Sequence, residues 1–599
     1  MATNDRARRL LFAALPVAIL CTAFSVLYWN RFLAASAGST FFYLAEQMLQ
    51  GRLPYRDIFF VVTPLSAFKV AALIHFFGDT LLVARFEGAL ERTIFGLLLF
   101  FLLTRFCRAG SAMLASFFTI VILAADEADA IVNYHIDSVF WAVAAACCAS
   151  FCIGGKSSRV GALFAGFFAA LSLLTKQTTG AGVIAALAVT GSLLVWRTGG
   201  IRALSRFLVP LFFGWMVPMG AFLWWLVQTR SLTPFLHTFL TTSTSKGSLL
   251  AVLLRPAMQL PWLFLAAAAG APLLAWIIRK TPRGDRPESI FNVAVLAFGG
   301  LATIALAAVS VHTGHWWPGS ASSVPSPMLV AITNLTIMSA VTGSAFLFFD
   351  YGWRFLKGTM TEREQQIWLL SAVSFAVAYM LSLSWAVYSP MAAPGIALIA
   401  GLALDRLEGA GAKRFYALVA FLLLFACSSI SGKLTWPFQW MYWAEPPVDQ
   451  ARFASTLLKL KGLRISEPTL SLTEKIAHLV QQHTKPGDSL LVYPYFPVFY
   501  VVTGLNPPTY AFNHYVDVCP DSICAQDAAT LRAHPPDAIV YMVENEEDLA
   551  RDELVFRSGR KSGSREVARV IEDLAAGYQK LLSSPVPGST RVIEVYTRR

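Results

Sequence analysis

Charge is what this sequence has least of. Asp, Glu, Lys and Arg make up 14% of its 599 residues, where a soluble globular chain carries roughly 25%. Apolar residues make up 56%. They gather in repeated runs of about 17 to 22 residues, the length that crosses a bilayer as a helix. That pattern excludes a soluble fold for most of the chain and predicts a polytopic α-helical membrane protein. Glycine-rich phosphate loops of the G-x-G-x-x-G or Walker type are missing at strand-to-helix junctions, which argues against a nucleotide site. No internal repeat or low-complexity segment stands out, which weakens an inverted-repeat transporter. Cysteine is sparse, eight in all. Cys21, Cys107, Cys147, Cys148, Cys152 and Cys427 lie in or beside apolar segments, as packing residues do. Cys519 and Cys524, in "CPDSIC", are a candidate disulfide if their region is extracytoplasmic. No second Cys/His pair accompanies them, as a zinc site would require.

The net charge of +12 suggests a polyanion such as nucleic acid at first. Most of the excess, however, falls in loops between apolar segments, where it sets orientation, so no nucleic-acid partner is expected. Arg6, Arg8 and Arg9 precede the first run, Leu10 to Asn30. That run is long for a signal-peptide core and no clear small-x-small site closes it, so it reads as a retained helix with a cytoplasmic N-terminus. Further spans are expected at 83–104, 111–125, 138–153, 160–174, 180–196, 207–228, 260–278, 291–311, 328–349, 367–383, 388–404 and 415–430, about thirteen in all, with the C-terminus outside. Each inner loop is then basic, as with Arg197, Arg202 and Arg206, and the acidic loop 126–137 falls outside. Trp436, Trp440, Tyr442 and Trp443 follow the last span like an interfacial aromatic belt. The apolar stretch 61–77 would invert every later loop if it spanned. It is read as a juxtamembrane or re-entrant helix; the alternative makes it a true span and shortens the next, which Arg85, Glu87, Glu91 and Arg92 interrupt.

From about Pro446 charge becomes frequent and apolar runs shorten. "SLLVYP", "DAIVYM" and "RVIEVYT" read as strands, and "TEKIAHLVQQH" and "REVARVIEDLAAGYQKLL" as helices. The expected organisation is a transmembrane part, 1–432, with a first outer loop at about 31–82, and an extracytoplasmic α/β domain, 433–599.

Ionisable groups at a membrane point to function. The outer face collects Arg52, Tyr55, Arg56 and Asp57 from "GRLPYRDIFFVVTPL"; Asp126, Glu127, Asp129, His135 and Asp137 from the second outer loop; Lys176 from "LLTKQTTG"; His312, His315, Trp316 and Trp317; and Tyr388. Carboxylates beside basic and aromatic groups suit transfer of a sugar carried on a lipid phosphate. Basic groups stabilise the charge developing on the phosphate, and a carboxylate takes a proton from the attacking hydroxyl. Each residue also has a plainer role. Asp57 can pair with Arg52 or Arg56 to hold a loop, Lys176 can snorkel to the interface, and the acidic loop can be a solvated face. His312 and His315 fit an interfacial setting better than a metal site, and Glu87 and Glu91 fit an ion-pair cluster with Arg85 and Arg92.

"GRLPYRDIFFVVTPLSAFKVAALIHFFGDTLLVARFEGAL" resembles the first outer loop of bacterial family 39-type glycosyltransferases, in the clan of protein mannosyltransferases and aminoarabinose transferases with the GT-C fold. "LSLLTKQTTG", "YSPMAAPGIALIAG" and "GDSLLVYPYFPVFYVVTGLNPP" resemble later landmarks of that group. The resemblance spans most of the chain, although each motif alone is loose. It implies a polyprenyl-phosphate-linked sugar donor, an envelope lipid, polysaccharide or protein as acceptor, inversion at the anomeric carbon, and no nucleotide cofactor or essential metal. It carries a phosphate-binding role onto Lys176. The residues themselves add Arg56 as a second phosphate-binding group and Tyr55, Tyr388 and His135 as expected cavity residues at the outer face of the plasma membrane. One departure stands out: Gly38 and Ser39 occupy the places of the family's catalytic aspartate. Asp57, at a second acidic position of the motif, is the expected base, with Asp126 and Asp137 as alternative acids. A polyprenyl-lipid transporter or flippase, or a non-catalytic glycan-assembly subunit, are the rival expectations.

Overall fold

A computed structural model describes residues 2–35, 38–126, 132–153, 158–245, 327–358, 360–381, 389–410, 438–440 and 443–599 apart from 517 and 558, with isolated residues between 416 and 427. The expected spans 260–278 and 291–311 lie outside the described residues, as do Glu127, Asp129, His312, His315, Trp316, Trp317 and Tyr388. Of Asp126 only the backbone is described.

The chain opens as a helical bundle. Helix α1 (Ala2–Val26) leads into a short loop helix, α2 (Thr40–Leu49), and then α3 (Leu65–Phe77) and α4 (Leu81–Leu103). Gly78, at φ 103°, ends α3 in a conformation that a side chain resists. The chain bends there by 119° before α4 begins. Together the bent pair is long and apolar enough to cross a membrane, as is the run Gln177–Gln228 on its own; shorter apolar helices cover Leu10–Val26, Ala109–Leu123 and Arg159–Thr175. The bundle continues with α5 (Ala109–Asp126), α6 (Tyr134–Ser150), α7 (Arg159–Thr175) and α8 (Gln177–Ala186). A π turn joins α8 to α9 (Ser192–Gln228), which is broken at Gly200, and α10 (Leu232–Ser245) follows. Beyond lie α11 (Pro327–Lys357), α12 (Glu362–Leu381) and α13 (Ser389–Ala410).

Helices α7 and α9 touch backbone to backbone. A Cβ added at Gly166 would fall 1.9 Å from the Leu211 carbonyl oxygen, and one at Gly214 would fall 1.9 Å from that of Leu163. Small residues allow this approach between apolar helices. The outer faces of the bundle are apolar and bare: Leu11, Phe12, Leu15 and Ile19 on α1, and Val209, Phe212, Phe213, Val217 and Trp224 on α9, are all exposed.

The C-terminal part is an α/β unit. Four short strands, β1 (Phe438–Trp440), β2 (Trp443–Glu445), β3 (Phe453–Ala454) and β4 (Arg464–Ile465), pair as two small sheets. Helices α14 (Glu467–His483), α15 (Val498–Thr503), α16 (Asp521–Ala533) and α17 (Glu546–Arg557) surround the main sheet, whose strands lie side by side in the order β5 (Leu490–Tyr493), β6 (Ala538–Val543), β8 (Val592–Thr597), β7 (Gln579–Pro585). β5 and β6 pair in parallel, and β8 runs antiparallel to β6 and β7. The continuous apolar runs of β5 and β6 fit strands buried on both faces. Three of these strands match the sequence expectation. The fourth corrects it: the helix expected through Leu582 ends at Ala575 (α18, Ser564–Ala575), and the chain turns at Gly577. Gln579 to Pro585 finds hydrogen-bonding partners on β8 that a helix would forgo. Cys519 and Cys524 are a second correction. Both are buried free thiols rather than a bridge. Cys524 Sγ is turned toward the Cys519 carbonyl, 3.9 Å away, and both side chains serve the core between sheet and helices.

The first loop and this unit share one hydrophobic core, in which Leu33, Phe42, Tyr43 and Tyr55 pack with Val498, Phe499, Tyr500 and Phe512. The Tyr43 ring lies 5.2 Å from Tyr500 and 5.1 Å from Phe512. Polar bonds fasten the join. Phe59 N donates to Tyr510 O (2.9 Å), Tyr510 Oη to Tyr55 O (2.5 Å), and Ala34 N to Glu445 Oε1 (3.1 Å). Lys459 ion-pairs with both Glu46 and Asp79.

Candidate active site

Helix α7 breaks at Lys176, whose extended backbone (φ −148°, ψ 118°) serves at once as the C-cap of α7 and the N-cap of α8. Gly180 makes the tight corner feasible, since a Cβ there would meet the Leu173 backbone at about 2.1 Å. The corner is buried and so is the lysine. Its Nζ donates to His135 Nδ1 at 3.0 Å and lies 5.2 Å from the centre of the Tyr134 ring. Both partners open α6, where the Asn133 side chain caps the helix by accepting the His135 N–H.

Asp137 sits in the first turn of the same helix, where the helix dipole favours a carboxylate. It is buried, and its Oδ2 accepts from Ser66 Oγ (2.5 Å) and pairs with Lys69 Nζ (2.9 Å). Both donors use one oxygen; among the described residues Oδ1 has no hydrogen-bond partner. Lys69 also pairs with Glu87 (2.7 Å) and Glu91 (2.5 Å), four residues apart on one face of α4. The first loop closes over this ground: Thr63 Oγ1 donates to Leu173 O (2.7 Å), Gln177 Nε2 to Val61 O (3.1 Å), and Phe41 packs 5.9 Å from Tyr134.

Of the residues named from sequence, the structure thus joins Lys176 to His135 and places Asp137 two residues on in the same helix, with Ser66 and Lys69 as its own partners. Asp57 and Arg56 stand apart from them. Arg56 Nη2 pairs with Asp57 Oδ2 at 2.7 Å and also donates to Gly51 O, Nε donates to Asp57 Oδ1 (3.0 Å), and Nη1 donates to Thr229 O. Asp57 Oδ2 also accepts the Leu53 N–H. The Arg56 guanidinium, helped by that N–H, holds the Asp57 carboxyl below the usual carboxylate range. Tyr55, expected on a cavity wall, is instead inside the core: its ring packs 5.0 Å from Phe235 and its hydroxyl donates to Val62 O at 2.6 Å. Ser39, at the place of the expected aspartate, is buried at the start of α2.

Lys69 and Ser66 were not singled out from sequence. Their signal is a serine and a lysine at i and i+3 in an otherwise apolar helix, followed by two glutamates four apart. Glu87 and Glu91 do belong to an ion-pair cluster, as expected, but one that includes Lys69 of another helix. Arg85 reaches the carbonyls of Phe32 and Leu33.

No family model matches the chain, and no curated protein does. In three dimensions the fold is shared with solved structures. AglB, an archaeal oligosaccharyltransferase from Archaeoglobus fulgidus in complex with an inhibitory peptide and a dolichol-phosphate, is 14% identical. The match covers 99% of this chain and 74% of that one, with a TM-score of 0.52. The apo form of the Archaeoglobus fulgidus oligosaccharyltransferase is 13% identical over 97% of this chain and 76% of that one, with a TM-score of 0.50. ArnT from Cupriavidus metallidurans, in the apo state, is 13% identical over 99% and 98% of the two chains; its TM-score of 0.37 is too low to carry an argument. The chain shares the GT-C fold of these oligosaccharyltransferases.

Proposed function

We propose that this protein is an integral-membrane glycosyltransferase that moves a sugar from a polyprenyl-phosphate donor to an envelope acceptor, which is a lipid, polysaccharide or protein. One observation carries the proposal: in a GT-C fold, a buried lysine at a helix break bonds His135 at the opening of α6, and a buried aspartate stands two residues further along that helix. The bare apolar faces of α1 and α9 support a bilayer setting. The basic inner loops support a multi-pass topology in the plasma membrane with the start of α6 on the outer face. The neighbour that holds dolichol-phosphate supports a lipid-phosphate donor.

Asp137 serves as base in this scheme, because its Oδ1 has no competing partner among the described residues while the Asp57 carboxylate is engaged by Arg56 and the Leu53 amide. The acceptor hydroxyl gives its proton to Asp137, and its oxygen bonds to the anomeric carbon from the face opposite the phosphate. The carbon–oxygen bond to phosphate breaks, and the electron pair leaves with polyprenyl phosphate, whose charge Lys176 stabilises. The product is inverted and no cofactor enters the balance. The α/β unit, fastened to the first loop, caps the site or recognises the acceptor. The test is an envelope glycan mass profile of a deletion strain carrying wild type, Asp137→Asn or Asp57→Asn at equal protein level. Wild type and Asp57→Asn should restore the missing sugar and Asp137→Asn should not. Full restoration by Asp137→Asn would remove the base assignment.

A further inference from the structure

The Lys69 ammonium has three N–H groups, and three carboxylates from two other helices surround it. Glu87 and Glu91 of α4 lie at 2.7 and 2.5 Å, and Asp137 of α6 lies at 2.9 Å. The side chains are 17%, 13%, 7% and 4% exposed for Lys69, Glu87, Glu91 and Asp137. At that burial an uncompensated ion costs several kcal/mol, so each carboxylate depends on the same cation. The bend at Gly78 folds α3 back along α4 and delivers Lys69 to both glutamates. Ser66, one turn earlier on α3, adds its hydrogen bond to the same Asp137 oxygen. Convergent carboxylates from separate elements are also how proteins hold small divalent ions. Here an amine on a tether fills the centre.

We propose that Lys69 is the resident counter-cation of a carboxylate site formed by Glu87, Glu91 and Asp137, and that it acts as a positioning residue for Asp137. The positioning half rests on Asp137 as the base; the counter-cation half does not. Lys69 and Ser66 clamp Oδ2 and thereby turn Oδ1 away from the cluster toward the acceptor hydroxyl.

Removal of the ammonium should open the site to a real metal ion. The experiment uses full-length protein in detergent, titrated with Mn2+ and followed by electron paramagnetic resonance. Wild type should bind no Mn2+ in a way that depends on Asp137. Lys69→Ala should gain one site, weakened at least tenfold when Asp137→Asn is added. In the deletion strain Lys69→Ala should restore the glycan at least a hundredfold less well than wild type. Lys69→Gln, which keeps length and two donors but not the charge, guards against a variant that merely fails to fold: it should melt lower than wild type but cooperatively, and show the same loss in the folded fraction. Absence of a Mn2+ site in folded Lys69→Ala, or a wild type that already binds Mn2+ through Asp137, would overturn the counter-cation. A Mn2+ site together with wild-type glycan restoration would keep the counter-cation and overturn the positioning role. A wild type that restores no glycan would count against the transferase itself and leave the Mn2+ result standing.

Discussion

Asp57 and Leu53 hold each other across a turn. The Leu53 amide donates to Asp57 Oδ2 at 2.8 Å, and the Asp57 amide donates to Leu53 O at 2.9 Å. Side chain and backbone of one residue thus close both ends of a short loop, and Tyr55 inside it adopts a positive φ of 70°. An aspartate used this way shapes the "LPYRD" stretch and has little left for proton transfer. Asp57→Asn retains an acceptor oxygen for the Leu53 amide and should keep transfer within about threefold of wild type. Asp57→Ala loses the hydrogen bond and the half-exposed Arg56 pair, and should cost about 1 kcal/mol of stability. Glycan restoration and a denaturation midpoint for both variants check this; a folded Asp57→Asn protein without transfer would return the base role to Asp57.

Lys176 is predicted to act on the donor and not on the fold. Lys176→Ala should raise the donor concentration for half-maximal transfer at least tenfold, with the maximal rate less affected. Lys176→Arg should recover part of the loss, since it keeps a phosphate-binding charge. Initial rates against a polyprenyl-phosphate sugar series measure both. An unchanged donor dependence would leave Lys176 as a buried structural lysine.

The join between first loop and α/β unit should weaken toward alkaline pH. Burial pushes Glu46 up to about 7 against its Lys459 pair, and pushes Glu445 up to about 7 against hydrogen bonds from Thr469 and Ala34. A carboxyl whose folded pKa exceeds its unfolded value near 4.5 binds more protons when folded. Its contribution is therefore complete below about pH 4.5 and is lost as pH rises through about 7, up to about 3 kcal/mol for each group. Melting temperature should fall from pH 5 to pH 8, and the fall should shrink in Glu46→Gln/Glu445→Gln. An equal slope in the double variant would rule these carboxyls out as its source.

The glycine contact between α7 and α9 makes a prediction independent of chemistry. Gly166→Ala and Gly214→Ala each press a methyl against a backbone carbonyl and should cost about 1–3 kcal/mol. Gly220→Ala, on the same α9 with nothing within 4 Å of the added carbon, should be neutral or stabilising. Melting curves of the three in detergent separate close packing from a general dislike of substitution.

Cys519 and Cys524 should alkylate fully once the protein is unfolded without reductant, and resist alkylation while folded, because both are buried. A pair that stays unlabelled after unfolding would be a bridge after all.

Much of this was legible from residue order because it is local. Apolar run length marks most of the described bundle helices, and the apolar stretches at Leu490 and Ala538 mark the two parallel strands. Lys176 and Asp137 could be named because a polar residue between apolar runs is conspicuous. Lys69 could not, since its meaning comes from Glu87, Glu91 and Asp137 on two other helices, and a lone lysine in an apolar run reads equally well as interfacial. The role of Asp57 was obscured for the opposite reason: beside Arg56 and Tyr55 it looked chemical, while its bond to a backbone amide four residues back leaves no mark in composition. Strand β7 hid inside a helical pattern because only its pairing with β8 decides between the two.

Thr40 bonds to Tyr495 across 455 residues of chain. The ribosome adds roughly 5–20 residues per second, so the first loop waits some tens of seconds for the segment that completes its core. During that interval Tyr43 lacks the rings of Tyr500 and Phe512. A message cut short before β8 would therefore leave a first loop whose shared core with the α/β unit is unfinished.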